Sequence, residues 1–196
     1  ENIVRTHSVA VGEPLDREQA RAVMLMTILN DGKGHSGIRI ETLDLIRQML
    51  NLDIYPWAPG EGSVGYLGVE GHLAMAYIGE GKIYDHGELR PADEVLKKYG
   101  LAPLKLSYKE GLSMLNGTIT VTAMALLALY ESVITMQNVE IAGALCYEAL
   151  RGTDRELDPR IHAAKKHDEQ IAAANNLRRM LKGSQICDKY RDAKVQ

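Results

Sequence analysis

Residues 117–150, GTITVTAMALLALYESVITMQNVEIAGALCYEAL, form the most apolar stretch of the chain. Only Glu131, Gln137, Asn138, Glu140 and Glu148 interrupt it, so apolar residues cover most of the circumference of the helix that the pattern predicts. A helix that is apolar nearly all round belongs in the middle of a helical bundle or at an oligomer interface. No apolar run reaches 18 residues without a charge or a strongly polar residue, so no membrane span is expected.

The flanking sequence is helical too. In EPLDREQARAVMLMTILNDGKG, Asp16 is a candidate cap, Ala20, Val23, Met24, Met26, Ile28 and Leu29 recur at three-to-four spacing, and Gly32 and Gly34 end the pattern. SGIRIETLDLIRQMLNLD repeats it with Ile38, Leu43, Leu45, Ile46, Met49 and Leu50. PADEVLKKYG reads as two turns opened by Pro91 and stopped by Gly100. PRIHAAKKHDEQIAAANNLRRMLKG reads as one amphipathic helix ending at Gly183, with Gln170, Asn175 and Asn176 on its polar face. The opening ENIVRTHSVAVGEPL reads as mid-helix without a cap, and RDAKVQ ends without a terminator, so a piece of a larger protein is expected. One short hairpin breaks the pattern: Ile83 and Tyr84, a turn at Asp85-His86-Gly87, and Leu89 returning. The class is mainly α.

At 196 residues the chain holds one sizeable core or at most two small ones. A net charge of −3 gives no dominant basic surface, which argues against nucleic acid as a partner. Two cysteines, Cys146 and Cys187, make a disulfide framework a poor reading and fit a reducing, cytoplasmic setting. No signal peptide opens the chain.

Between Pro56 and Gly71 the chain is rich in Pro and Gly and reads as a loop, with a helix from about Gly71 to Ile78. Gly60-Glu61-Gly62-Ser63-Val64-Gly65 matches Gly-x-Gly-x-x-Gly, but a dinucleotide loop needs a buried strand before it and a helix opening at its end. Pro56 and Pro59 argue against the strand, and the Gly-rich continuation against the helix. Gly79-Glu80-Gly81-Lys82 has Ile83 where a phosphate loop needs Ser or Thr, so it reads as the turn into the hairpin. None of His7, His35, His72, His86, His162 and His167 stands at metal-ligand spacing, so a metal site has no support. Asn116-Gly117-Thr118 is formally a glycosylation sequon, and Asn116 is equally a candidate cap for the long apolar helix.

Taken together, ENIVRTHSVAVGEPL, SGIRIETLDLI, YPWAPGEGSVG, HLAMAYIGEGKIYDHGELRPADEVLKKYGLAPLKLSYKEGLSMLNGT and LDPRIHAAKKHDEQIAAANNLRRMLKGS resemble the histidine/phenylalanine/tyrosine ammonia-lyase family, in its order and across essentially the whole chain. The resemblance implies a helical bundle of the fumarase/aspartase type, a homotetramer with sites built from several subunits, and a small-molecule amino acid substrate. It implies non-oxidative release of ammonia by an electrophile, a methylidene-imidazolone, made from the chain itself. It also places a tyrosine-bearing lid loop before Glu1 and a helical half after Gln196, neither present in these 196 residues.

By the same resemblance, Asn116 in Met114-Leu115-Asn116-Gly117-Thr118 matches the asparagine that hydrogen-bonds the prosthetic group and substrate, offering donor and acceptor without charge. His7 matches the position that selects the substrate side chain, and Thr6-His7 is most similar to the Ser-His pair of histidine lyases.

The departure is at Gly65-Tyr66. In the family, Gly-Ser-Val-Gly is followed by the Ala-Ser-Gly that cyclises and dehydrates, then by Asp-Leu-Ala-Pro-Leu-Ala-His; here Gly65 is followed by YLGVEGH, three residues short when His72 is matched to the family histidine. Two explanations stand. The cyclised tripeptide occupies the junction as one non-standard residue, or this lineage lacks it, in which case the chain has no such cofactor and is a non-catalytic relative. No serine in Tyr66-Leu67-Gly68 can dehydrate to a methylidene, and Ser63, followed by Val64, is misplaced.

Overall fold

The computed structural model describes residues 1–63 and 65–192; Val64, inside the Gly-x-Gly-x-x-Gly match, and most of the terminal RDAKVQ lie outside the described residues. The protein is mainly α, and its two compact units are Glu1–Ala128 and Leu129–Gln196.

The chain opens on a helix shorter than its sequence suggests. α1 covers Asn2–His7, and β1 (Val11–Pro14) follows as extended chain. Ser8 ends the helix by turning its hydroxyl onto the Val4 carbonyl at 2.8 Å, and Gly12 takes a left-handed φ of 84°. α2 (Arg17–Asp31) starts where the sequence puts it, because Asp16 and Gln19 form a reciprocal capping box. The Asp16 carboxylate accepts from the Gln19 N–H at 2.8 Å, and the Gln19 side chain accepts from the Asp16 N–H at 3.1 Å. Ala20, Val23 and Met24 are buried, whereas Leu29 faces solvent. α3 (Ile40–Asn51) packs against α2 through buried Leu45, Ile46 and Met49.

The expected loop from Pro56 to Gly71 contains the end of one strand, the whole of another and the first five residues of a helix. β2 (Ile54–Pro56) and β3 (Pro59–Glu61) are tolerated because each proline stands at a strand end, where a ladder N–H is dispensable. β3 pairs antiparallel with β1. α4 (Leu67–Tyr77) opens four residues before the predicted start, so the Gly-rich segment does lead into a helix. The described strands pair only antiparallel, which is not the βαβ setting of a dinucleotide loop. β4 (Lys82–Asp85) and β5 (Glu88–Pro91) form the expected hairpin, with β2 on the free edge of β4. Left-handed His86 (φ 49°) and Gly87 (φ 92°) make its two-residue turn. α5 (Ala92–Lys98) follows, with Pro91 at its N-cap position, one residue before the first turn in which the sequence placed it.

α6 (Glu110–Ser113) is a single turn held by one fully buried carboxylate. Glu110 accepts from the Arg39 and Ser107 N–H groups (3.0 and 2.7 Å), the Arg39 guanidinium (3.0 Å) and the Thr42 hydroxyl (3.0 Å). Burial alone would raise its pKa, but these donors outweigh burial and bring it down to about 2.

The apolar stretch forms α7 (Ile119–Ala149), which begins in the first unit and continues into the second. Its core-facing start, Ile119 and Ala123, is buried, while Leu126, Leu129, Tyr130, Val133, Met136 and Val139 are exposed. By length and composition alone it is long and apolar enough to cross a membrane, contrary to the sequence expectation; a central bundle helix meets the same criterion. In the second unit, the single amphipathic helix expected over 159–183 is two: α8 (Pro159–Lys165) and α9 (Asp168–Met180), broken at left-handed Lys166 (φ 58°). α10 (Gln185–Tyr190) closes the described chain. Ala144, Leu157, Ala174, Leu181 and Cys187 form this unit's core, with Cys187 a free thiol.

Replacing Glu110 with Ala strands several donors around α6 and should lower the unfolding free energy by about 3 kcal/mol, read by chemical denaturation. Because the folded pKa is depressed, this contribution should be present in full above pH 4.5 in the native protein and be lost as pH falls toward 2.

Candidate active site

The candidate residues come from three distant stretches, and α4 is the element on which all three converge. α1 packs on both α4 and α6. The contact with α4 is backbone on backbone: a Cβ on Gly71 would lie 2.9 Å from the His7 carbonyl carbon and 3.0 Å from the Ser8 nitrogen. One turn earlier, a Cβ on Gly68 would meet the Ala10 nitrogen at 3.0 Å. The two glycines therefore seat residues 7–10 across the first turns of the helix, at a separation that a side chain would prevent.

His7 is half-buried, and its Nδ1 lies 2.8 Å from the Ile3 carbonyl. A carbonyl partner places the proton on Nδ1 and leaves Nε2 as the acceptor of the neutral ring. Exposed Thr6 donates to the same carbonyl at 3.0 Å, with its hydroxyl 3.1 Å from His7 Nδ1.

The junction residues are both left-handed, Gly65 at φ 57° and Tyr66 at φ 65°, and Tyr66 stands at the N-cap of α4. Tyr66 offers the helix no side-chain cap; instead the Ser63 hydroxyl accepts from the Gly68 N–H at 2.6 Å. Asn116 lies between α6 and α7, its N–H donating to the Leu112 carbonyl at 2.9 Å and its side chain exposed. It precedes α7 by three residues, so it is not the adjacent cap of that helix.

Glu70 was not singled out from sequence, although a lone acid in LGVEGHLAMAY is a visible signal. It is buried on α4, and its Oε1 accepts from the Thr120 N–H at 3.1 Å and the Thr120 hydroxyl at 3.0 Å. Its Oε2 is buried without a partner among the described residues. Burial drives its pKa up to about 7; the Thr120 hydrogen bonds pull the other way, and the charge of Asp31 adds to the rise. Asp31, also buried, is itself pushed upward by burial. Half-buried His72 meets Trp57 edge-on at 5.5 Å between ring centroids, and burial lowers its imidazole pKa.

The family model for aromatic amino acid lyases matches residues 1–196, the whole chain. The chain belongs to the aromatic amino acid lyase family. It is 40% identical to the histidine ammonia-lyase of Koribacter versatilis over all of its own length and 39% of that protein. Among solved structures, histidine ammonia-lyase from Trypanosoma cruzi superposes with a TM-score of 0.87 at 37% identity, covering 90% of this chain and 36% of that one. Tyrosine aminomutase from Streptomyces globisporus gives a TM-score of 0.91 at 35% identity, over 94% and 35%. This lyase-family chain thus spans about two-fifths of the length of the curated relatives it matches. The Koribacter alignment runs over 199 positions against the 196 residues of this chain, so the relative has three positions with no counterpart here.

Two outcomes follow from this packing. Gly71→Ala should destabilise the protein by about 1–3 kcal/mol through the clash with the His7 backbone, although Ala is the better helix former; denaturant titration reads the sign. Glu70 has a folded pKa above the ordinary 4.5, so its contribution to stability is present in full below pH 4.5 and is lost as pH rises to about 7. Glu70→Gln removes that loss and should be more stable than the native protein at pH 8 by about 2–3 kcal/mol, with no gain at pH 4.5. Thermal melts at the two pH values measure it.

Proposed function

We propose that the full-length protein is a histidine ammonia-lyase-like protein. It takes an L-amino acid, histidine favoured, and releases ammonia non-oxidatively to leave an α,β-unsaturated acid. The observation that carries this reading is 40% identity to a histidine ammonia-lyase across the whole chain. Thr6-His7 supports the choice of histidine: His7 Nε2 is a ring acceptor that a substrate imidazole N–H can meet. Asn116, exposed at the end of its segment, is the amide that would orient the substrate. The exposed apolar face of α7 supports assembly, proposed as a homotetramer, and two unpaired thiols support a cytoplasmic setting.

The methylidene-imidazolone that the family resemblance implies does not fit the residues at the junction. Gly65 leads into Tyr66 with no Ala-Ser-Gly between them. The nearest serine, Ser63, spends its hydroxyl on the Gly68 N–H. No step is derived through that group. Elimination without an electrophile would rest on general-base catalysis, worth about 10²- to 10⁴-fold, for a weakly acidic β-proton and an unactivated amine. A second reading, a lyase-fold relative that binds an amino acid or serves assembly without eliminating ammonia, rests on that junction alone, and the identity to histidine ammonia-lyases across the chain does not favour it.

Incubating the full-length protein with L-histidine separates the two. Urocanate formation, lost with His7→Leu, supports the first reading. Histidine binding without product, together with an intact mass lacking the water losses of cyclisation and dehydration, supports the second. Activity confined to tyrosine or phenylalanine would sink the assignment to histidine.

A further inference from the structure

The hydrogen bonds between Glu70 and Thr120 join two parts of the candidate site that stand fifty residues apart in sequence. Glu70 lies four residues after Tyr66 on α4, and Thr120 four residues after Asn116 at the start of α7. Glu70 is 4% exposed and Thr120 fully buried, so solvent does not compete for this contact. Asn116, Gly117 and Thr118 are all exposed, and around a Cβ on Gly117 the nearest atoms belong to Ile119, at 3.8 Å or more. The exposed segment is thus held from two ends: by the Asn116 N–H on Leu112 at the α6 end, and by Thr120 at the α7 end.

We infer that Glu70 is the positioning residue for Asn116: its carboxylate clamps the first turn of α7 to α4 and so sets where the Asn116 amide stands relative to the junction and His7. This rests on the reading that Asn116 contacts the amino acid. The chemistry of the contact supports it. Oε1 takes the backbone N–H and the hydroxyl of one residue, so it fixes both the height and the rotation of the helix start. An apolar side chain would fill the same apolar surroundings at lower cost, but would offer no acceptor to an N–H at a helix N-terminus. The unpartnered Oε2 and the neighbouring charge of Asp31 make the clamp costly, which is the mark of an interaction kept for geometry.

The test uses the full-length protein and a double-mutant cycle on L-histidine affinity by calorimetry. Glu70→Ala should weaken binding about tenfold, while Glu70→Gln, which keeps the acceptor, should stay within about threefold of native. Glu70→Ala combined with Asn116→Ala should bind no worse than Asn116→Ala alone, because misplacing a deleted amide has no further effect. Additive losses, or native affinity in Glu70→Ala, overturn the inference. Should Glu70→Ala not fold, Thr120→Val, which removes only the hydroxyl donor, should show the same non-additivity at about threefold. A native protein that binds no aromatic amino acid overturns the proposed function instead. Amide hydrogen exchange then decides on Glu70: exchange over residues 116–120 should be about tenfold faster in Glu70→Ala than in Glu70→Gln, with residues 83–96 unchanged, and equal rates reject the clamp.

Discussion

Two glycines on one face of α4 let the backbone of residues 7–10 lie closer to a helix than any side chain would allow, and the arrangement of the candidate site depends on that contact. It brings the end of α1, with Thr6 and His7, against the first turns of α4. It also leaves Glu70, between the two glycines in sequence, free to reach a third element. The same eleven-residue helix thus receives α1 through missing side chains and α7 through a present one.

Around that hub the polar groups divide by how well they are satisfied. Glu110 is surrounded by donors and is held ionised well below the ordinary carboxylate range, a purely structural knot at the foot of the Asn116 segment. Glu70 has donors on one oxygen only and is pushed toward neutrality. Both are fully or nearly fully buried carboxylates; the Arg39 guanidinium and the other donors around Glu110 outweigh its burial, whereas burial and the charge of Asp31 outweigh the Thr120 hydrogen bonds at Glu70. The flank Tyr66–Gly71 supplies the glycine contacts and the hydrogen bonds of Glu70 to Thr120. Ser63, just before that flank, caps its helix through the Gly68 N–H.

Much of this was legible in the residues. The mainly α class, the Asp16 cap of α2, the hairpin turn at His86-Gly87 and the Pro91 start of α5 follow from local rules, because caps and turns are decided by a few neighbouring atoms. Strands β1, β2 and β3 were not legible: each is three or four residues long, two contain the prolines read as strand breakers, and pairing partners far along the chain decide them. The early start of α4 was hidden by glycines that read as loop but serve close packing. The break at Lys166 went unseen because a left-handed lysine leaves no mark in an amphipathic pattern.

The sequence by itself determined family membership, the candidates Thr6, His7 and Asn116, and the three-residue shortfall at Gly65-Tyr66, since each is a matter of which residues are present and in what order. Only the tertiary structure decided what those residues do for one another. That Gly68 and Gly71 are seats for a second backbone, and that Glu70 grips Thr120, are facts about surfaces meeting across fifty or more residues of chain. Contact distance and burial fix such meetings, and neither is written in local periodicity.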